Sequence, residues 1–496
     1  DASQTLTGSG TVTGNLGGGG TVSPGDGVGT LTIDGAFTPT GTLNFEVNPP
    51  SATAGTDYDQ ILVDGVLDLS GATLSFSGGM GTVPLNTLVT LISNSSNEDT
   101  TGADSLVEGA TVSIGDIDYT ISYAGGDGND VVLRSPFIVY VDDAWTGFIG
   151  GTDIMDADLG TAGDQSAEFG VTAFSTLGEA LVASSSAGSG GTIIINEGNY
   201  AEQVAVSNSQ TLRVTGVNLA QQVTITGLSG AAGTAIVIEG SSTLSVGDSV
   251  DRTISSLISG SGGLIKLGTG TLTLGGANVY GGTTSINTGT LRLGNDTALG
   301  DTAADTTVAD GATLDLNGRT VGAESVNVSG EGSSGVGALI NSDTSAASLE
   351  GDITLVADSS IGGDGDLTLS GSLSGGSGIG ISKLGSGTVT LSGENTYSGA
   401  TTITGGTLAL VSTTTNNNIA SSSTIDLEMG VTLDVTGLDT MSLSDTLVLD
   451  ASQTLTGSGT VTGNLGGGGT VSPGDGVGTL TIDGAFTPTG TLNFEV

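Results

Sequence analysis

An all-β fold, a right-handed parallel β-helix (β-solenoid) with one short capping helix per unit, is what this sequence predicts, and three observations predict it. The first is composition: 496 residues hold 89 glycines, only 8 prolines and 3% aromatic residues, with a mean hydropathy of +0.22. Such a chain has enough apolar character to fold, and its Thr, Val, Leu and Ile fall in short runs between glycines, as brief strands joined by tight turns do. The second is alternation. In Thr271-Leu272-Thr273-Leu274 apolar and small polar residues alternate, the mark of a strand with one buried face. The third is recurrence, since Leu272, Leu291 and Leu314 follow one another at 19 and 23 residues, the length of one solenoid coil. A lone coil cannot bury its apolar face, but coils stacked about 4.8 Å apart form a continuous inner column. A β-sandwich made from the same strands is the alternative, and sandwich strands do not usually carry such regular glycine spacing.

Internal repetition is the strongest signal, and one repeat aligns without a gap. "KLGTGTLTLGGANVYGGTTSINTGTLRL" (Lys266–Leu293) aligns with "KLGSGTVTLSGENTYSGATTITGGTLAL" (Lys383–Leu410) at an offset of 117. The shared frame is K-L-G-x-G-T-[LV]-T-L-x-G-x-N-x-Y-x-G-x-T-[ST]-I-x-x-G-T-L-x-L, with glycines at the turns. Lys266 and Lys383 hold matching places, which suits a structural role. Asn278 and Tyr280, with Asn395 and Tyr397, read either as ligand contacts or, more in keeping with turn asparagines, as groups that cap backbone.

This frame resembles the autotransporter-associated β-strand repeat, also called the passenger-associated transport repeat, of very large secreted bacterial surface proteins. The resemblance is looser over Asp352–Gly376 and Gly18–Gly35. It implies a right-handed parallel β-helix on the cell exterior, secreted or at the cell surface. A second stretch, "AFSTLGEALVASSSAGSGGTIIINEGNYAEQVAV", reads as an amphipathic helix with Phe174, Leu177 and Leu181 on one face, followed by an apolar strand at Ile193–Ile195. It resembles the capping helix and first coil of pectin-lyase-like β-helices, where the helix covers an open strand edge.

Asp1–Val47 and Asp450–Val496 are identical, each residue recurring 449 positions later. The expected organisation is therefore 1–134 as the C-terminal part of one repeat unit, 135–190 as the unit junction with its capping helix, 191–449 as the β-helix body of the next unit, and 450–496 as the start of that unit's closing part. Copies of the unit in tandem, along a fibre that other strands could join, are the expected partners.

Charge narrows the partners further. Against 52 acidic residues stand 7 basic ones and no histidine, a net charge of −45, so phosphate backbones and anionic membrane surfaces are repelled. No nucleic acid and no membrane insertion are expected, for no run approaches the roughly 20 apolar residues of a span. Cysteine is absent, which excludes disulfides and thiolate metal sites.

Catalysis is not expected. General acid/base work would fall to neighbouring carboxylates such as Asp57 and Asp59, or Asp142 and Asp143, and such pairs carry little weight in so acidic a chain. Arg134, Arg213, Arg252, Arg292, Arg319, Lys266 and Lys383 are scattered singly, and Trp145 is the only tryptophan available to stack on a sugar. The expectation is an extracellular structural protein forming a fibre, sheath or adhesin stalk; the alternative is a surface β-helix that binds or cleaves polysaccharide. The sequons at Asn94, Asn295 and Asn327 are of a kind that chance supplies often in a Ser/Thr-rich chain.

Calcium is the one cofactor the sequence suggests. "GGDGNDVVL" (Gly125–Leu133) fits the nonapeptide pattern G-G-x-G-x-D-x-U-x, making Asp127 and Asp130 candidate ligands, although a simple turn entering a strand fits as well. Asp142, Asp143, Asp153, Asp156, Asp158 and Asp164 form a second cluster at the expected junction, with a solvated acidic loop as the alternative.

Overall fold

The computed structural model describes residues 1–496 apart from 49–52, 79–86, 97–98, 115–116, 127, 136–137, 151, 155–166, 169–171, 186–190, 197, 207–209, 215–221, 232, 412–418, 439–444 and 475. The chain divides into two compact units, 1–139 with 183–192, and 140–182 with 193–496. Both are built from the short alternating strands that the sequence predicts.

In the second unit the strands stack in parallel, coil on coil, as a parallel β-helix. Leu272 pairs with Leu291, Leu291 with Leu314 and Leu314 with Leu339, joining Thr271–Leu274, Gly289–Leu293, Ala312–Asp315 and Leu339–Ile340 in one column. All four leucines are buried, and each contributes roughly 1.5–3 kcal/mol by leaving water. A second column runs through Gly263–Lys266, Thr284–Ile286, Thr306–Val308 and Val326–Gly330. A third runs through Thr320–Val321, Ala347–Leu349, Leu367–Leu369, Thr388–Leu391 and Thr407–Val411. Each coil thus offers three strand positions.

The first two columns merge into a 20-stranded sheet, and the third belongs to an 8-stranded one. They join at Gln222–Gly230 and again at Ile353–Gly362, a strand of 10 residues. Its first half continues the column of Val326–Gly330, and its second half continues that of Leu339–Ile340. Following the columns upward, Lys266 stands in the column of Leu373–Gly375, whereas Lys383 stands in the next one round. The two copies of the repeated frame therefore occupy different strand positions of the coil.

The expected helix forms at Leu177–Ser185. Its first turn is held twice over: Thr176 Oγ1 accepts from the Glu179 amide at 3.3 Å and donates to Glu179 Oε2 at 3.0 Å. Glu202, on the first long strand of the unit (Gly198–Val206), accepts from the amides of Leu177 and Gly178, both at 2.9 Å. A carboxylate at the positive end of a helix is stabilising. Leu177 and Ala180 are buried, whereas Leu181, expected on the same face, is only half-buried. Phe174 is not on the helix: it ends the strand Ala173–Phe174, which lies parallel to Tyr140–Val141.

The first unit begins in the same manner, with Thr5–Gly8, Thr11–Thr13 and Leu16–Gly18 each stacked below the strand of the next coil. It ends differently from a purely parallel helix. Leu88–Asn94 is parallel to Gln60–Val63 on one side and antiparallel to Asp130–Arg134 on the other. Ile117–Gly125 and Thr111–Ile114 extend this antiparallel meander. Connections as short as those at Ile114–Ile117 and Gly125–Asp130 permit only antiparallel pairing. The core beneath holds Phe37, Phe45, Ile61, Ile121 and Leu133, with Phe45 stacked on Phe76 at 6.2 Å between ring centroids.

Candidate functional site

The repeated frame builds an interior corner around its lysine. Lys266 and Lys383 are each 1% exposed, an unusual state for an ammonium group. The Lys266 Nζ donates to the carbonyls of Leu267 and Gly268, both at 2.7 Å, and of Thr288 in the next coil at 3.1 Å. The Lys383 Nζ donates to Leu384 at 3.0 Å, Gly385 at 2.8 Å, Gly387 at 2.5 Å and Gly405 at 2.8 Å. Each lysine therefore ties a turn of its own coil to the turn above. Burial pushes both ammonium groups down to about 8, against the pull of Asp248 and Asp251 on Lys266 and of Asp366 and Asp364 on Lys383.

Glycine makes room for these corners. Gly289 and Gly406 have φ of +67° and +59°, and a Cβ there would stand 2.9 Å from the Lys266 Nζ and 2.7 Å from the Lys383 Nζ. The G-T-L ending of the frame thus belongs to the lysine as much as to the turn.

The asparagines and tyrosines of the frame also face inward. Asn278 Oδ1 accepts from the amide of Ile258 at 2.9 Å while its Nδ2 donates to the carbonyl of Ala298 at 2.7 Å, linking coils on either side. Asn395 Oδ1 accepts from the Leu373 amide at 2.8 Å. The hydroxyls of Tyr280 and Tyr397 meet Thr284 and Thr401 at 2.6 and 2.7 Å, and burial pushes both phenols far above their ordinary value. Asn278, Tyr280 and Tyr397 thus serve backbone groups or a neighbouring hydroxyl, while Asn395 keeps its Nδ2 buried without a partner; the frame's polar side chains that reach the surface are others, such as Thr273 and Arg292.

The candidate carboxylates are scattered. Asp127, Asp156, Asp158 and Asp164 lie outside the described residues, and Asp153 is described by its backbone alone, in Asp153–Ile154 paired with Ala167–Glu168. Asp130 sits at the turn of the antiparallel meander and accepts from the Asn94 amide at 2.8 Å. Asp142 caps the short turn Asp143–Trp145 through the Ala144 amide at 2.9 Å, and Asp143 accepts from the Asn199 amide at 2.9 Å. Among the described residues, no three acidic side chains gather into a group that could hold a metal ion. Of the sequons, Asn94 is buried.

Asp57 and Asp59 do not form a working pair either. Asp59 is 1% exposed and accepts from the amides of Gly29 at 2.8 Å and Glu46 at 2.7 Å, so it joins three segments of the first unit. Burial raises its carboxyl to about 6. Asp57 accepts from the Thr53 amide at 3.0 Å. Sequence reasoning missed two further buried acids. Asp315, fully buried, receives Arg292 at 2.8 Å. Glu324 accepts from Thr306 Oγ1 at 2.7 Å while its Oε2 has no partner, and burial raises its carboxyl to about 7. An Arg flanked by two buried leucines was the available signal for the first; nothing in "GAESV" marked the second.

These features define a parallel β-solenoid whose recurring frame serves its own interior. Residues 264–293 and 381–410 match the model of the passenger-associated-transport-repeat family, and each match carries one lysine corner. The chain thus contains the repeat of autotransporter passenger regions, which implies a secreted or surface-exposed protein. The matches cover a minor share of its length. No curated protein matches the chain, and no solved structure does. Among the described residues, no helix is long and apolar enough to cross a membrane.

Proposed function

We propose that this chain is a structural segment of an extracellular fibre, sheath or adhesin stalk, assembled from copies of itself in tandem, and that it is not an enzyme. One observation carries the reading: in the second unit the strands from Gly198–Val206 to Thr491–Leu492 join coil to coil in a 20-stranded sheet, with the frame's lysines and Asn278 turned inward to fasten successive coils. A catalytic site requires polar groups converging on space that a substrate can enter. Here Asp59, Asp142 and Asp143 hold backbone amides instead. Stacked coils extend indefinitely by adding units, which suits a load-bearing or spacing role.

The test is microscopy of the native surface with antibodies to this chain, combined with assay of the purified protein on acidic and neutral polysaccharides. The expected result is labelled filaments with an axial period and no release of sugar fragments. Label confined to a soluble fraction, or steady release of fragments, would sink the proposal.

A further inference from the structure

The identical segments 1–47 and 450–496 adopt one structure in two settings. Thr5 pairs with Thr21, Thr11 with Thr32, Leu16 with Phe37 and Thr21 with Thr42. In the second copy Thr454 pairs with Thr470, Thr460 with Thr481, Leu465 with Phe486 and Thr470 with Thr491, the same register throughout.

Their neighbours differ. The second copy lies on the coil that precedes it, with Leu455 on Ile425, Val461 on Leu433 and Leu465 on Leu447, and the three upper residues are fully buried. In the first copy the counterparts Leu6, Val12 and Leu16 are only half-buried. Leu6 and Leu16, with Val22 and Phe37, line a hollow of about 280 Å³. Gln453 Nε2 donates to the carbonyls of Ile419 and Ser422 at 3.1 and 2.8 Å, whereas the side chain of Gln4 meets the terminal amine of Asp1 at 3.2 Å. On the opposite side the contrast reverses. Phe37, Leu43 and Phe45 are fully buried, with Leu43 and Phe45 beneath Leu74 and Phe76; their counterparts Phe486, Leu492 and Phe494 are 40%, 42% and 65% exposed.

We infer that the bare side of segment 1–47 is an interface for the strands Thr424–Leu427, Thr432–Gly437 and Thr446–Leu449 of a preceding copy of this sequence, and that the bare side of 450–496 receives residues 60–77 of a following copy. The inference rests on the tandem reading above. It adds that two copies share a single 47-residue segment, covered on both sides at once, so the solenoid passes from one copy to the next with no cap between them. The occupant is identified because the same sequence, in the same register, already carries it within this chain. An uncovered strand edge with apolar side chains is the kind of surface that recruits such a partner.

Engineered disulfides test this, since the chain has no cysteine of its own. Parallel neighbours about 4.8 Å apart lie within bridging range. The chain itself, carrying Thr432→Cys and Thr460→Cys at paired positions, supplies the reference. The test chain is residues 1–449 followed by 1–496, carrying Thr432→Cys in the first copy and Thr11→Cys in the second. Both pairs are expected to oxidise to a bridge, mapped by mass spectrometry. In the two-copy chain, amides of Thr5–Gly8 and Thr11–Thr13 in the second copy should exchange hydrogen on the order of tenfold more slowly than in the single chain. A reference bridge without the bridge between copies, or unchanged exchange, overturns the inference. Loss of the reference bridge itself overturns the stacked-coil reading on which it rests.

Discussion

Replacing Lys383 by methionine keeps the aliphatic stem and removes the donor. Four carbonyls, those of Leu384, Gly385, Gly387 and Gly405, then lose their partner in a buried corner. A buried polar group left unpaired costs about 1–3 kcal/mol, but water entering the corner and relief from burying a charge offset part of this, so a net loss of about 2–4 kcal/mol is expected at pH 7. The pH dependence is more telling. The folded ammonium titrates at about 8 and the free one at 10.5. Below about pH 8 both states are protonated and the full penalty of burying the charge is present. Between about 8 and 10.5 the unfolded chain binds more protons than the folded one, so folding stability rises with pH. The rise is bounded by roughly 3 kcal/mol, since one unit corresponds to about 1.4 kcal/mol. Urea unfolding followed by circular dichroism, for the protein and for Lys383→Met from pH 7 to 10.5, reads the difference directly. The gap between the two should widen with pH, and hydrogen exchange should place the loss at Ile381–Leu384 and Thr401–Ile403. A variant as stable as the parent at every pH, or a gap that does not change with pH, would refute the lysine cage.

Glu324→Gln is expected to stabilise the protein at pH 8 by roughly 1–3 kcal/mol. Because burial raises this carboxyl from 4.5 to about 7, its folded form holds a proton that the unfolded form releases. Stability is greatest below about 4.5 and falls as pH rises through 7, and the Gln variant should lack that slope in urea titrations. Asp59→Ala leaves the amides of Gly29 and Glu46 without an acceptor, and should cost about 2–4 kcal/mol in the first unit, measured by its urea midpoint. Gly406→Ala combines a left-handed φ of +59° with a 2.7 Å approach to the Lys383 Nζ. A loss of about 1–3 kcal/mol is expected from thermal unfolding, against a near-neutral change for Gly322→Ala, where a Cβ meets nothing.

The solenoid was legible because its signals are local. Alternation in Thr271–Leu274 decides which side chains turn inward, and the recurrence of Leu272, Leu291 and Leu314 at coil length decides that they stack. The matching places of Lys266 and Lys383 pointed to structure for a similar reason, since two lysines in one frame meet one environment. Parallel stacking was expected from the coil-length recurrence and the resemblance, but a period of two reads the same in either direction, and so the antiparallel meander that ends the first unit left no mark. The Gly125–Leu133 pattern describes a turn, and whether further coils stack upon it depends on residues distant in sequence; Asp130 meets Asn94 there. Phe174 fell just outside its helix because Thr176, with Glu179, starts the helix after it. Glu324 was hidden because nothing near it in sequence reveals that Thr306 stands beneath it.

The change of strand position between the two copies of the frame bears on recognition. Thr273 and Arg292 turn outward in the first copy, and Thr390 and Ala409, 117 residues later, turn outward in the second from the next column round. A flat partner lying along one wall meets one copy and misses the other, so the repetition that is plain in the sequence is not presented as a repeating epitope. What recurs is the fastening of one coil to the next, and the outer walls are free to diverge while the joinery inside stays the same.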